Sequence, residues 1–454
     1  MKKNIYQSLL LAASISMIVA CKPKLDTPEA TKGSMDPTKY VAIGNSITSG
    51  FADGALYYTG QQASYANILA GQLKIVGGGD FKQPYVGSIA SVGIGSTLNA
   101  KLILGYATDC KGVTSLSPIP AAATGDYSIF AGNIYGSDGP FNNMGVPGAK
   151  ATTTVFPGYG NPANGIGNYN PFFTRMASNP STASILGDAA AQNATFFSMF
   201  IGNNDVLAYA LAGGASDAIT PSAGSPGVGF DASIDLIIST MSANGAKGVI
   251  GNIPDITSLP YFTTVPYNGL TLDAPTAAYL TSVYAANGLP YTFHEGANAF
   301  IIADASVPGG LRPMNDGELV LLSTPQDSLK CAMWGSSPLK PIPNQYILTA
   351  SEINNIETAI GNFNSKLRAA ASAKGYAFVD VNAFMRNAKT GITYNGVAAS
   401  TTFVTGGAFS LDGIHLTPFG NALLANEFIK SINATYGATI PQVDANKYHG
   451  IIFP

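Results

Sequence analysis

The chain is poor in charged residues, which make up 11% of its 454 residues, whereas typical soluble domains contain about a quarter. Lys and Arg number 23 and Asp and Glu 26, so the formal net charge is −3. Without a basic excess to neutralise phosphates, the composition argues against a nucleic-acid partner. An apolar fraction of 46% also excludes a disordered chain, because disorder requires low hydrophobicity and high net charge.

Histidine and cysteine are equally scarce. The three histidines, His294, His415 and His449, are too few for a multi-histidine centre, so we expect no metal and no other cofactor. His294 and His449 have no partner pattern beside them, and we interpret both as surface or packing residues. Three cysteines exclude a scaffold built on disulfides.

Beyond the first twenty residues, no apolar run is long enough to span a bilayer. Residues 1–20 begin with Met1-Lys2-Lys3, continue through a short apolar run, and end in Ile-Val-Ala before Cys21. This segment is typical of a signal peptide. Small residues directly before Cys21 resemble the lipobox of bacterial lipoproteins, and the resemblance implies a lipidated Cys21. The alternative is an ordinary secretory signal with a chance cysteine.

A lipid anchor would hold the protein in the bacterial cell envelope, outside the cytoplasm, in the outer membrane and facing the periplasm or the surface. Residues 21–36 are polar and nonperiodic, and we interpret them as a flexible tether. In an oxidising compartment Cys110 and Cys331 could form a disulfide. Two buried free thiols are the alternative, and the sequence leaves both open.

Strand patterns alternate with helix patterns along the chain. Apolar runs typical of buried strands occur at 40–43, 194–201, 248–253 and 376–379. Apolar residues at helical spacing predict helices over 234–241 and 353–367 and from Thr417-Pro418 onward. This alternation predicts an α/β fold with a parallel sheet covered by helices on both faces. We interpret 74–140 and 257–345 as insertions, and 437–454 as a C-terminal arm.

Four polar clusters could carry chemistry. They are Gly44-Asn45-Ser46, Asn143-Met144-Gly145-Val146-Pro147-Gly148, Gly202-Asn203-Asn204-Asp205 and Asp412-Gly413-Ile414-His415. Taken singly, each has an ordinary explanation: a turn, a loop, a helix cap at Asp205, or a chance pairing of acid and imidazole. Two of them follow predicted strands, where parallel sheets bind ligands.

In the order Ser, Gly, Asn and Asp-x-x-His, the clusters resemble those of the SGNH hydrolases, the GDSL-like lipase/acylhydrolase family. The resemblance implies a three-layer α/β/α sandwich with a flavodoxin-like sheet over 37–436. It implies Ser46 as nucleophile, His415 as general base and Asp412 as the acid that orients it. It implies an oxyanion hole formed by the backbone N–H groups of Ser46 and Gly145 and the Asn204 side chain.

Two features depart from that family's pattern. Its Gly-Asp-Ser-Leu is here Gly44-Asn45-Ser46-Ile47, so a charge is lost beside the serine. The insertions exceed those of compact members and leave the substrate open between a lipid ester and a carbohydrate O-acetyl ester. The aromatic residues of 257–345 could line an acyl or sugar site or form the insertion's own core.

The sequence therefore predicts a lipid-anchored serine esterase or acylhydrolase that acts on a small-molecule, lipid or glycan ester. The alternative is a surface lipoprotein that binds glycan or lipid on the same scaffold with little turnover.

Overall fold

The computed structural model describes residues 29–87, 90–93 and 99–454. The predicted signal peptide, Cys21 and residues 22–28 of the predicted tether lie outside these ranges. In the ranges that are described, no helix is both long and apolar enough to cross a membrane.

Five parallel strands form the central sheet. They are β1 Tyr40–Gly44, β2 Asn143–Gly145, β3 Phe196–Phe200, β4 Lys247–Gly251 and β5 Ala377–Val379. Their spatial order is β5-β4-β3-β1-β2, and every pairing is parallel. Read from the other edge, this is the 2-1-3-4-5 order of flavodoxin-like sheets, in which ligands bind at the switch point between β1 and β3.

The four strands predicted from apolar runs are confirmed as β1, β3, β4 and β5. The edge strand β2 was not predicted, because the sequence indicates only a loop at Asn143–Gly148. With three residues, β2 is too short to give an apolar run or an alternating pattern. It pairs with the end of β1, with Gly145 opposite Gly44.

Helices pack on the sheet in two groups. The six longest around the sheet are α1 Tyr65–Ile75, α2 Asn204–Leu211, α3 Phe230–Met241, α4 Ala350–Lys374, α5 Val381–Thr390 and α6 Pro418–Tyr436. Helices α1 and α6 pack together, as do α3 and α4, and both α4 and α6 lie on β4 and β5. The sheet is thus sandwiched, with Tyr65 against Phe428 in one layer and Phe230 against Phe363 in the other.

Capping residues define the ends of α4 and the start of α6, and the predicted start of α6 at Thr417-Pro418 is confirmed. Thr349 and Glu352 form the capping box of α4, and Gly375 ends that helix in the left-handed conformation. Thr417 caps α6 through its side chain, with Pro418 at the first helical position. This cap fixes the chain just after His415.

Shorter elements complete the described chain. The short helices are Ser46–Ser49, Tyr58–Gln62, Tyr135–Asp138, Ala151–Thr154, Pro171–Met176, Ile185–Ala190, Pro260–Thr263 and Gln326–Lys330, and a longer one spans Ala274–Ala286. The antiparallel pairs are Leu56–Tyr57 with Ser91–Val92, Leu102–Thr108 with Thr114–Pro120, Leu270–Leu272 with Gly296–Asn298, Ile301–Ala303 with Leu311–Pro313, Leu319–Val320 with Ile347–Leu348, and Ile392–Tyr394 with Val397–Ala399.

The segment 257–345 has small apolar clusters of its own. One is built around Phe300, Ile302 and Ile342, and another around Tyr284 and Ile301. The segment is joined to the hairpin 102–120 by a disulfide between Cys110 and Cys331. The two regions that interrupt the strand–helix alternation are therefore linked to each other as well as to the sheet.

Candidate active site

Ser46 lies immediately beyond the carboxyl end of β1, at the first position of the short helix Ser46–Ser49. Asn45 caps this helix by accepting the Ile47 N–H at 3.2 Å. A Cβ at Gly44 would lie 2.0 Å from Thr48 Oγ1 and 2.7 Å from the Phe200 carbonyl oxygen. Only glycine therefore permits this tight turn from strand to helix.

His415 connects Ser46 to Asp412. Its Nε2 lies 2.8 Å from Ser46 Oγ, and its Nδ1 lies 2.8 Å from Asp412 Oδ2. Ser46 and His415 are buried, and the Phe51 ring lies 4.8 Å from the imidazole. With Asp412 ionised, Nδ1–H donates to the carboxylate and Nε2 is free to accept the Ser46 hydroxyl. Residues 369 positions apart are thus in hydrogen-bond contact.

Asp412 is kept ionised by its surroundings. Oδ1 accepts from the backbone N–H groups of Ile414 and His415 at 2.9 and 2.8 Å and from Ser410 Oγ at 3.0 Å, and Oδ2 accepts from Gly54 N–H at 2.8 Å. Burial alone would raise the pKa of Asp412, but His415 and these backbone donors outweigh burial and hold the pKa well below its usual range.

A second carboxylate, Asp53, supports the loop that carries Asp412; this role was not predicted from the sequence. Asp53 and Gly54, at φ 53° and 73°, are the central residues of a tight turn closed by hydrogen bonds between Ala52 and Ala55. An Asp-Gly pair is a known signal for such a turn. What the signal cannot show is that the turn faces Asp412.

Asp53 contacts the acid loop through both its backbone and its side chain. Its N–H donates to Ser410 Oγ at 3.0 Å, and its Oδ1 accepts Leu411 N–H at 3.0 Å. Its Oδ2 accepts the Tyr57 hydroxyl at 2.6 Å. Burial raises the pKa of Asp53, and nearby Asp412 raises it further, while the hydrogen bonds from Tyr57 and Leu411 offset part of the rise.

The geometry argues against the role inferred for Gly145. Its backbone N–H donates to Asn143 Oδ1 at 2.9 Å, and a Cβ there would lie 2.5 Å from Ser49 N. The donor is occupied and the glycine is packed against the Ser46–Ser49 helix. Gly145 is therefore needed for close approach of β2, and its N–H is not offered to a substrate oxygen.

Gly148, three residues later, has the properties that Gly145 lacks. It follows Pro147 in a turn in which Ala149 N–H donates to the Val146 carbonyl at 3.0 Å, and its φ is 82°, as in a type II turn. Among the described residues, neither its N–H nor that of Ser46 has a protein acceptor. Chain neighbours aside, the only heavy atom of the described chain within 4 Å of a Cβ at Gly148 would be Asn170 Nδ2, at 3.6 Å.

Asn204 lies at the start of α2 and lines the same pocket as Ser46 and His415. Its side-chain amide donates one hydrogen to the Ala149 carbonyl at 2.9 Å, next to Gly148. An amide has two N–H donors, so one is left for a ligand.

Asp205 lies in the first turn of α2 and does not cap it. Its Oδ2 accepts Ala151 N–H at 2.7 Å, and its side chain is buried. Burial raises the pKa of Asp205 to about 6, against the lowering effect of the Ala151 hydrogen bond. Asn204 and Asp205 therefore both fasten the segment 148–151 to α2.

The pocket beside Ser46 and His415 is apolar. Its polar side chains, Asn45, Ser46, Asn203, Asn204 and His415, belong to the clusters already described. The remaining side chains are Ile47, Phe200, Leu207, Pro254, Ile256, Leu259, Val381, Phe384, Met385, Phe409, Ile414, Leu416 and Leu424. None of the aromatic residues in 257–345 lines this pocket. Tyr284 and Phe293 instead pack against each other, with their ring centroids 5.0 Å apart.

The other two histidines lie apart from this chemistry. His294 and His449 are exposed, and each Nδ1 lies about 3 Å from a neighbouring backbone carbonyl. Within the described ranges, no group of three or more His, Cys, Asp or Glu side chains is placed to hold a metal ion.

Comparison with known proteins gives little further guidance. No family model and no curated protein matches the chain. Among solved structures, an extracellular lipase from Streptomyces rimosus aligns with 88% of this chain and 99% of its own, at 13% identity and a TM-score of 0.31. A gut microbial diltiazem-metabolizing enzyme aligns over 88% of this chain, at 11% identity and a TM-score of 0.28, and the match spans about half (49%) of that enzyme.

Proposed function

We propose that the protein is a serine hydrolase of the SGNH type that cleaves carboxylic esters through an acyl-serine intermediate. The observation that carries the proposal is the chain from Ser46 Oγ through His415 to Asp412, with both contacts at 2.8 Å. Hydrogen bonds of this length and order activate a serine hydroxyl in many unrelated hydrolases.

In the first half-reaction, Ser46 Oγ attacks the ester carbonyl while His415 Nε2 takes its proton. The Asp412 carboxylate stabilises the imidazolium that forms. Negative charge develops on the carbonyl oxygen, for which the backbone N–H groups of Ser46 and Gly148 and the Asn204 amide are the donors. Gly148 replaces Gly145, the donor that the family resemblance implies, because the Gly145 N–H is already bonded to Asn143. Each such donor contributes on the order of 10²–10³ in rate.

The first half-reaction ends when the tetrahedral species collapses to the acyl-enzyme and His415 gives its proton to the departing alkoxide oxygen. In the second half-reaction, water takes the place of the alcohol. The neutral imidazole then takes a proton from water, which attacks the acyl carbonyl, and the imidazolium returns that proton to Ser46 as the carboxylic acid leaves.

A fluorophosphonate probe, which phosphonylates activated serines, tests the proposal directly. We expect labelling of the native protein and none of Ser46→Ala. Asp412→Asn should lower kcat by on the order of 10³–10⁴, because the carboxamide no longer fixes the imidazole tautomer. A folded protein that resists the probe and turns over no ester would overturn the proposal and favour a binding lipoprotein.

We also propose that Cys21 carries a lipid anchor outside the cytoplasm. Support comes from the small residues before Cys21 and the polar stretch after it. Cys21→Ser should release the protein from the membrane fraction. A variant that stays membrane-bound to the same extent would contradict the anchor.

A further inference from the structure

The pocket at Ser46 is apolar everywhere except at its catalytic end. The side chains away from that end come from α2, α5, α6, β3 and the loops at 254–259 and 409–416, and none is polar. Most of them are buried, among them Phe200, Ile256, Val381, Met385, Phe409 and Leu424. The cavity that they enclose is small, about 30 Å³, so it admits a slender group and not a bulky one.

A sugar does not suit this pocket. Each hydroxyl placed against these side chains would lose its hydrogen bonds to water and find no partner, which is unfavourable. A hydrocarbon chain has no such requirement and gains by leaving water.

The mechanism indicates which half of the ester enters. The alcohol must depart, and water must then reach the carbonyl, while the acyl group is still bound to Ser46. A pocket closed by buried side chains suits the group that stays attached, and the alcohol then lies toward solvent. We propose that this pocket binds the acyl chain of the substrate, that the chain is an alkyl chain longer than acetyl, and that Met385 and Leu207 limit its length.

Met385 lines the pocket from α5 and is 4% exposed. Phe384, the preceding residue, also lines the pocket but is partly exposed. Leu207 lines the pocket from α2, one turn after Asn204.

The inference rests on the proposed function, and a series of p-nitrophenyl esters with increasing acyl length tests it. We expect kcat/KM to rise from acetate by roughly fourfold per CH₂ and then to fall once the chain exceeds the pocket. Met385→Phe should move the optimum to shorter chains and Met385→Ala to longer ones. Leu207→Phe should act like Met385→Phe.

Met241→Ala is the matched control. Met241 is also 4% exposed but lies on α3, away from the pocket. Met241→Ala removes a buried methionine side chain as Met385→Ala does, but outside the pocket. We therefore expect its chain-length profile to match that of the native protein. Because truncating a buried methionine weakens folding, Phe384→Ala provides a second enlarged pocket at a partly exposed position.

Two results would overturn the inference while leaving the hydrolase intact. One is a probe-labelled enzyme that prefers acetate, and the other is a profile that no pocket variant moves. If Ser46 resists the probe, the proposed function itself has failed. The proposed acyl pocket can then still be tested by measuring the binding of octanoate to Ser46→Ala. Octanoate should bind this variant, and it should bind more weakly when Met385→Phe is added. Absence of octanoate binding would refute the pocket.

Discussion

Gly54 donates its backbone N–H to Asp412 Oδ2 at 2.8 Å, although 358 positions separate the two residues. The same oxygen accepts the imidazole N–H of His415. The Asp53-Gly54 turn therefore holds the same carboxylate oxygen as the histidine does, and it brings a second carboxylate to the site. The loop from Ser410 to His415 is fixed at both ends, by this turn and by the cap of α6.

Asp53→Asn tests whether this turn positions the acid. Asparagine also tolerates the left-handed backbone, but it replaces one carboxylate acceptor with a donor and so disturbs the contacts to Tyr57 and Leu411. A hydrogen bond to a charged group contributes about 1.5–3 kcal/mol, so we expect kcat to fall by about 10- to 100-fold with KM nearly constant.

Asp273→Asn is the control, because Asp273 caps a helix at the surface and asparagine caps equally well. A purely structural role for Asp53 would lower the melting temperature and leave the kcat of the folded fraction unchanged. That outcome would contradict positioning.

Asn204→Ala tests the side-chain donor of the oxyanion site. We expect kcat to fall by on the order of 10²–10³, or about 3–4 kcal/mol, because the donor acts mainly on the charge that develops in the transition state. KM should change little. Asn164→Ala is the control: its amide also donates to a backbone carbonyl, that of Gly158, but in a loop away from the pocket. If substrate binding weakened as much as kcat/KM fell, Asn204 would bind the substrate and the transition state equally well. That result would contradict its assignment as an oxyanion donor.

Sequence reasoning reached the residues whose local signals are strong. Ser46 follows a buried apolar strand, and Thr417-Pro418 begins a helix, so both flanks of the site were predictable. The order of the clusters then suggested that Ser46, Asp412 and His415 meet, and the structure brings them together.

The rest of the site depends on contacts that no local sequence pattern indicates, most of them between residues that lie far apart in the sequence. Gly145 and Gly148 are three residues apart in one motif, and only the side chain of Asn143, folded back onto the Gly145 N–H, shows which donor is occupied. The acyl pocket combines side chains from Ile47 to Leu424. No periodicity relates such distant positions, so neither the pocket nor Asp53 could be found before the chain was folded.

The disulfide gives a prediction about stability. It joins Cys110, in the turn of the hairpin 102–120, to Cys331, at the end of the helix Gln326–Lys330. Replacing both cysteines by serine should lower the free energy of unfolding by about 2–4 kcal/mol, because the unfolded chain is no longer cross-linked. Neither residue lines the pocket, so kcat on a short ester should be unchanged.

Urea unfolding with and without reductant measures this effect. Reductant should destabilise the native protein and leave the double-serine variant unaffected. Alkylation without reductant should leave both thiols of the native protein unlabelled, and labelling of both would refute the disulfide.

The buried carboxyl of Asp205 should make stability depend on pH in a direction opposite to that of Asp412. Burial raises the pKa of Asp205 from 3.8 to about 6, so the folded state holds a proton that the unfolded state has released. Its stabilising contribution is complete below about pH 4 and is lost as the pH rises through 6, an effect on the order of 2–3 kcal/mol. For Asp412 the folded pKa is lowered, so its contribution is lost only in strong acid.

Asp205→Asn isolates this effect, because the carboxamide oxygen can still accept the Ala151 N–H but the side chain no longer titrates. The free energy of unfolding, measured by urea titration at pH 4.5 and 7.5, should decline with pH more steeply in the native protein than in the variant. The double difference removes every other titrating group, including Asp412 and the surface carboxylates. Parallel pH profiles for the two proteins would mean that Asp205 is already ionised in the folded state at pH 4.5, and that the 148–151 segment is held by a permanent charge.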